Sequence, residues 1–476
     1  MKIPLFSKSG TLRAKEASAE RCVNWYPEKG GKDEFYLKPT PGLGLFVTPA
    51  PPIGSGVRGL YTSSSNRMFA VCGNTLFEIS IAGVATSRGT LGISWGRVSM
   101  VDNGTELIIA DGVNAKGWIL NLDTNVFTQI TDIDYPAGYT VEFQDTYFIM
   151  AKPNTNEFYI SGNNDGFTWS TLDKTSVQGS PDRLVTVIRN GRDLWAIGER
   201  STEVYYNSGN SAFPFDVIQG SESEIGCASR WSVSQIDNHV FWLGANGEGK
   251  GVVWMSNGYA PVRISTHAVE FSLSDMSLIN DCESFTYQSE GHVFYVMSFQ
   301  TGKKTWVYDL TTGEWHERMY WDSVGAQEKR HLASTQTFFN GKVYVGGFTD
   351  NNIYELSETV YTDNGDSIIR IGQTSNIHAE RKRMFFHQLR LDVERGVGLI
   401  TGQGSDPQIM MQWSSDGGHT WSNEHWESAG KIGAYNERVR WNNLGQDRSR
   451  SFRFKTSDPV NFTLIACYAD VSLGNG

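Results

Sequence analysis

Apolar and polar residues alternate with a period of two along most of this chain, and Gly- and Asn-rich turns cut the alternation into short runs. A period of two sends successive side chains to opposite faces, which is the signature of a strand. One larger unit keeps returning: an alternating run, a tight turn and a second alternating run. It appears seven times between residues 66 and 357. The copies are Arg67–Ile79, Glu106–Leu122, Tyr147–Ile160, Asp193–Tyr206, His239–Met255, His292–Leu310 and Gly341–Phe348. They start roughly 40 to 50 residues apart, the spacing of β-propeller blades. Further strand-like runs, among them Asp182–Ile188, Trp231–Ile236 and Glu283–Tyr287, flank the hairpins. Asn-Gly pairs at 103–104, 190–191, 257–258 and 340–341 sit where tight hairpin turns want positive φ.

The predicted fold is therefore all-β, with a seven-bladed propeller, or a six-bladed one if the weaker hairpin at 147–160 is divergent. WD dipeptides do not recur at blade spacing, and the Gly346-Gly347 pair resembles kelch in one blade only.

The pattern changes outside the repeats. Residues 1–50 hold a charged stretch, then Trp25-Tyr26-Pro27, then Pro39-Thr40-Pro41-Gly42, and read as a separate N-terminal segment with an extended strand docked elsewhere. The proline-rich run from Thr48 to Pro52 reads as a stiff linker. Residues 51–360 form the propeller. From 361 to 476 the strands lengthen (383–393, 409–414, 438–442, 451–456, 462–471), which predicts an antiparallel β-sandwich.

Length and charge narrow the reading. At 476 residues the chain exceeds what one core holds. No apolar run reaches the length of a membrane span, and residues 1–10 lack a signal-peptide core. The five cysteines (22, 72, 227, 282 and 467) make no CxxC pair and no zinc spacing, which predicts reduced, buried thiols. Net charge is −11. Residues 367–476 carry 13 Lys/Arg and 11 Asp/Glu, leaving 28 and 41 for the remainder, a net of −13. So acidic a body argues against a sequence-specific DNA binder. A passage that DNA crosses without adhering stays open.

Candidate chemistry is sparse. Ser414-Ser415-Asp416-Gly417-Gly418-His419-Thr420-Trp421 matches an Asp-box turn, and Gly162–Trp169 is a degenerate copy; the motif is structural wherever it occurs. Sialidases combine propellers with Asp boxes, yet here Lys2-Ile3-Pro4 replaces the Arg-Ile-Pro that would grip a carboxylate. Glu222 and Glu224 read as a solvated acidic loop rather than a hydrolytic pair. His239 and His292 occupy equivalent hairpin positions, where packing explains them. Catalytic, cofactor and metal residues are expected to be absent. Two basic clusters remain: Arg381, Lys382 and Arg383, then Arg438, Arg440, Arg448, Arg450 and Arg453. Each is a solvated strand face, or a contact for an acidic partner or neighbouring subunit, or a nucleic-acid contact.

The order of these features resembles the tail accessory (hub, or nozzle) proteins of short-tailed phages, the packaged-DNA stabilization family. The resemblance rests on Trp25-Tyr26-Pro27 leading to Pro41-Gly42-Leu43, on Gly56–Tyr61 and on Val71–Phe77. It continues through Leu389–Glu394, Ser415-Asp416-Gly417-Gly418, Arg438/Arg440-Trp441, the Arg448/Arg450 pair before Phe452–Lys455, Pro459-Val460 and Cys467. The resemblance implies a non-enzymatic virion tail protein, assembled in the bacterial host cytoplasm as a homohexameric ring under the portal–adaptor complex. Such a ring retains packaged DNA, passes genomic double-stranded DNA through its channel without sequence-specific binding, and holds a tail needle or tip and fibres or spikes. The resemblance further implies that residues 1–50, as an N-terminal platform segment, and residues 361–476 together build one β-sandwich platform facing the adaptor, and the two basic clusters become candidate adaptor or inter-subunit contacts. A sialidase-like or carbohydrate-binding propeller is the alternative.

Overall fold

A computed structural model describes residues 1–30, 34–49, 56–380 and 382–474. Arg381 and part of the proline-rich linker lie outside the described residues. All seven hairpins become the second and third strands of antiparallel blades. The inner strands are Val57–Thr62, Ser99–Asp102, Val141–Gln144, Leu184–Asn190, Ser234–Ile236, Cys282–Ser289 and Ala333–Phe339. Each touches the next and the last touches the first, so among the described residues the ring closes on seven blades.

Alternation within each strand explains the packing between blades. Leu107 and Ile109 face the core shared by blades one and two, while Ile108 faces the core shared by two and three. In blade five, Val240 and Trp242 pack toward blade four, and Phe241 and Leu243 toward blade six. A blade between two neighbours buries both faces, which is why its central strands read as near-continuous apolar runs. Seven inter-blade cores result, one at each junction.

Blade seven is completed by the other end of the chain. Residues 333–357 supply three strands, and Gly42–Val47 pairs antiparallel with Ile353–Ser357 as the fourth. Gly42 has to be glycine here, because a Cβ would stand 2.4 Å from the Val360 carbonyl oxygen. Leu43 is buried with Tyr354 and Val345. The strand read from sequence as part of the platform segment thus closes the ring.

The platform is a sandwich of two sheets. One orders Trp25–Lys29, Phe35–Pro39, Leu464–Leu473, Met384–Val393 and Val439–Asn442; the other orders Arg21–Val23, Arg370–Gln373, Ser449–Thr456, Gln408–Ser414 and His425–Ser428. Their shared core mixes both chain ends: Ile3, Phe6 and Trp25 pack with Leu389, Trp441, Phe452 and Phe454. The second sheet continues into the ring, because Arg21–Val23 also pairs with the outer strand of blade six, Glu314–Arg318. All five cysteines are buried free thiols.

Candidate docking platform and the closed propeller axis

The junction between ring and platform is built around Asn24. Its φ of 55° bends the chain between the strands Arg21–Val23 and Trp25–Lys29, a left-handed conformation that asparagine tolerates best among residues with a side chain. The buried amide then ties three segments together. Nδ2 donates to Met319 O at 2.9 Å and Ile369 O at 2.8 Å, and Oδ1 accepts from Met319 N at 3.0 Å. Beside it, Arg21 donates to Glu317 through Nε at 3.1 Å and Nη2 at 2.9 Å, and to Glu328 through Nη1 at 3.1 Å and Nη2 at 2.7 Å. This charge pairing holds Glu317 below its ordinary pKa despite burial. Deeper in, His316 is fully enclosed against Tyr26 and Phe294, and burial pushes its imidazole down to about 3. These contacts fix the platform to the ring as a rigid mount.

The basic residues picked out by sequence divide into two sets. Arg440 is exposed on Val439–Asn442, the edge strand of its sheet, where Val439 and Trp441 point inward, and Arg438 is exposed just before it. Arg440 stands opposite Arg390 in the register, and Arg390 is compensated by donating to Asp392 at 2.9 Å. Lys382 and Arg383 are exposed at the start of the neighbouring strand Met384–Val393, whose first residue pairs with Asp447, next to exposed Arg448. Together they place cationic groups along one border of the platform.

Arg450 and Arg453 do not belong to that border. Arg450 is 3% exposed; its guanidinium lies 4.6 Å from the Phe386 ring centre and Nη1 donates to Leu444 O at 2.6 Å. It braces the core, and the reading of it as a partner contact is corrected. Phe452 and Phe454 stand two and four residues on, so the period of two places Arg450 on their inward face. Arg453 stacks on Trp421 at 3.7 Å and donates to Gln373 Oε1; burial pushes it down to about 10. Trp421 ends the Asp box, in which Asp416 accepts from the backbone of His419 and Thr420 and from the Thr420 hydroxyl. The box supports a turn, as its sequence suggested.

Across the propeller the charge is opposite. Residues 57–358 carry 20 Lys/Arg against 34 Asp/Glu, a net of −14. Glu222 and Glu224 sit exposed on the rim of an open cleft of about 990 Å³ between blades four and five. His239 Nδ1 bonds to Ser256 O at 2.8 Å and His292 Nδ1 to Asp309 at 2.8 Å, so both equivalent histidines brace their own blades. No group of three metal-ligating side chains occurs among the described residues.

The propeller axis is crossed by side chains that sequence reading missed. Arg97, just before blade two, donates to Ser284 O in blade six at 3.1 Å and lies 5.2 Å from the Trp231 ring ahead of blade five. Arg230 lies 3.8 Å from the Tyr139 ring ahead of blade three and donates to Val185 O of blade four at 2.9 Å. Lone arginines between blades carry no sequence signal of this role. A DNA duplex, whose major groove alone is about 12 Å wide, has no way through such a channel.

Two family models match the chain. The β-propeller model of bacteriophage P22 Gp10 covers residues 2–361, and the Gp10 β-sandwich model covers residues 370–472. No curated protein matches by sequence. Solved structures with similar folds include the WD40 propeller domain of Doa1, at 10% identity and a TM-score of 0.42, covering 66% of this chain and 97% of that one. Virginiamycin B lyase from Staphylococcus aureus is similar at 10% identity and a TM-score of 0.44, covering 64% and 95%. The extracellular domain of BT4673 from B. thetaiotaomicron, at 10% identity and a TM-score of 0.43, covers 88% of this chain and 59% of that one. At these scores the likenesses carry no functional argument.

Proposed function

The chain belongs to the bacteriophage P22 Gp10 family, whose members are phage tail structural proteins, and from that premise we propose that several copies form a ring beneath the portal–adaptor complex. The copy number is six. The ring retains packaged genomic double-stranded DNA, forms the ejection passage, and offers attachment for a tail needle or tip and for fibres. It assembles in the bacterial host cytoplasm and performs no catalysis.

The observation that carries this reading is the mount. Both chain ends fold into one sandwich that is fused edge to edge with blade six, so load placed on the platform passes directly into the ring of blades. The closed axis supports a passage formed between copies rather than through a single propeller. Acidic propellers facing such a passage repel phosphates, so DNA slides without sticking. The exposed set Lys382, Arg383, Arg438, Arg440 and Arg448 suits an acidic docking face on the adaptor or a neighbouring copy.

Filled capsids made without this protein test the retention role. Their DNA is expected to become accessible to nuclease and to be protected again once purified protein is added. Equal protection with and without the protein overturns it.

A further inference from the structure

Two apolar surfaces stand in solvent far apart on the molecule. The first is a corner on the rim between blades two and three. In the outer strand of blade three, Lys174 pairs with Tyr159 but Trp169 already pairs with Ser161, so residues 170–173 bulge outward. Asp132 ties the neighbouring loop to the base of this bulge, Oδ2 accepting from Trp169 N at 2.9 Å, and Tyr135 packs edge-on against the Trp169 ring. Ile133 and Leu172 are left 96% and 86% exposed. Their surroundings are acidic. Residues 123–174 carry eight Asp/Glu and two Lys/Arg, and one of those two, Lys174, is held by Glu157 at 2.6 Å.

The second surface is on the platform, where two loops run side by side. Arg395 Nη1 donates to Tyr435 O at 3.0 Å, and Gly433 N to Gly396 O at 3.3 Å. Gly398 lies so close to the second loop that a Cβ would stand 2.9 Å from Ile432 N. This packing holds Ile400 and Tyr435 out in solvent, 84% and 69% exposed, with Ile432 exposed between them. Residues 394–406 and 429–440 together carry four basic and three acidic groups. The excess is on the second loop, where Lys431, Arg438 and Arg440 stand against Glu437 alone. The patch and the pair Lys382 and Arg383 lie at opposite ends of the strand Met384–Val393: Leu391 is opposite Val439, and Met384 is opposite Asp447. A partner seated over Lys382 and Arg383 therefore leaves the patch uncovered.

Exposed apolar side chains gathered in one place mark sites of association, and these two surfaces are opposite in charge. Their positions differ as well. The platform joins the ring at blade six, and in a ring of seven the junction of blades two and three stands across the axis from it. A surface that matches a different surface on the next copy makes a head-to-tail contact, which closes into a ring when the rotation between copies fits. We propose that the corner at Ile133 and Leu172 of one copy seats on the loops at Ile400, Ile432 and Tyr435 of the next, with the acidic field of the blades drawn to the basic field around Lys431. The contact rests on the ring proposed above and names the surfaces through which its copies meet.

Sedimentation velocity on the full chain tests this at about 0.2 mM, well above the Kd on the order of 10 µM expected for a contact of this kind. Ile133→Glu with Leu172→Glu removes the corner, and Ile400→Glu with Tyr435→Glu removes the seat. Wild type is expected to form species larger than a dimer, and each double variant to stay monomeric. An equimolar mixture of the two variants is expected to give a one-to-one dimer and nothing larger, because one intact corner meets one intact seat and the other two surfaces are dead. All four side chains are exposed, and serine at the same positions replaces glutamate in any variant that circular dichroism shows to be unfolded. Wild type that is monomeric at this concentration, a variant that still self-associates, or a mixture that stays monomeric overturns the proposal. Adaptor binding is read in parallel. A monomeric chain that binds the adaptor removes this contact and leaves the tail role; heterodimers from a chain that ignores the adaptor keep the contact and remove the tail role.

Discussion

Replacing Asn24 by alanine should uncouple the platform from the ring, and its effect can be worked from the hydrogen bonds. The change strips partners from three backbone groups: Met319 O and Met319 N, both buried, and Ile369 O, partly buried. Each, left unmet, costs roughly 1–3 kcal/mol, and partial entry of water lowers the sum. Alanine held at positive φ adds about 1 kcal/mol that asparagine largely escapes. Asn24→Ala should therefore destabilise by about 4 kcal/mol, and Asn24→Gly, which relieves the backbone but not the orphaned groups, by about 3 kcal/mol. Asn24→Asp should be at least as damaging as alanine, because it turns a carboxylate toward two carbonyl oxygens. The assay is guanidinium unfolding followed by tryptophan fluorescence and by protease cleavage near residue 320. The wild type should melt with both probes together; Asn24→Ala should show cleavage before the bulk of the fluorescence change. A variant within 0.5 kcal/mol of wild type, with coincident probes, would refute the idea that this amide locks mount to ring.

Leu43→Ala should lose about 2–4 kcal/mol from the blade-seven clasp, and Leu43→Asp should give an open, aggregating ring, seen as a shift to the void volume in size exclusion. Charge reversal at Arg438 and Arg440 together should leave the melting temperature within a few degrees of wild type yet weaken adaptor binding at least tenfold in a pull-down. Arg450→Glu should instead unfold the sandwich, which circular dichroism would register. His316 is held neutral by burial, with its pKa near 3 against about 6.5 when unfolded. Between these values the unfolded chain binds the extra proton, so the stability His316 contributes is lost as pH falls from about 6.5 toward 3. Asp363, raised by burial to about 6, and Glu142, raised to about 8, titrate with the opposite sign. The comparison must therefore be wild type against His316→Phe. The variant should gain on wild type by up to about 3 kcal/mol at pH 4 relative to pH 8; parallel stability profiles would count against it.

Much of this architecture was legible because propeller blades repeat a local pattern. All seven hairpins were readable from period-two alternation and Gly/Asn turns, such as Asn340-Gly341, where both residues take positive φ. The C-terminal strands were readable for the same reason. What was hidden depends on contacts distant in sequence. Gly42–Val47 is six residues with nothing local to announce a partner more than 300 positions away. Asn24, Arg97 and Arg230 act through groups that only closure of the ring brings near them. Arg450 was misassigned although its parity with Phe452 and Phe454 already pointed inward; the charge was weighed before the register.

Electron cryomicroscopy of the purified chain mixed with its portal–adaptor complex tests the central claim most directly. The account predicts a ring of copies with each sandwich seated on the adaptor, Arg438 and Arg440 at a contact, and a DNA-wide passage between subunits while every propeller axis stays crossed by Arg97 and Arg230. Copies that leave the adaptor bare, or duplex density threading a single propeller, would contradict it.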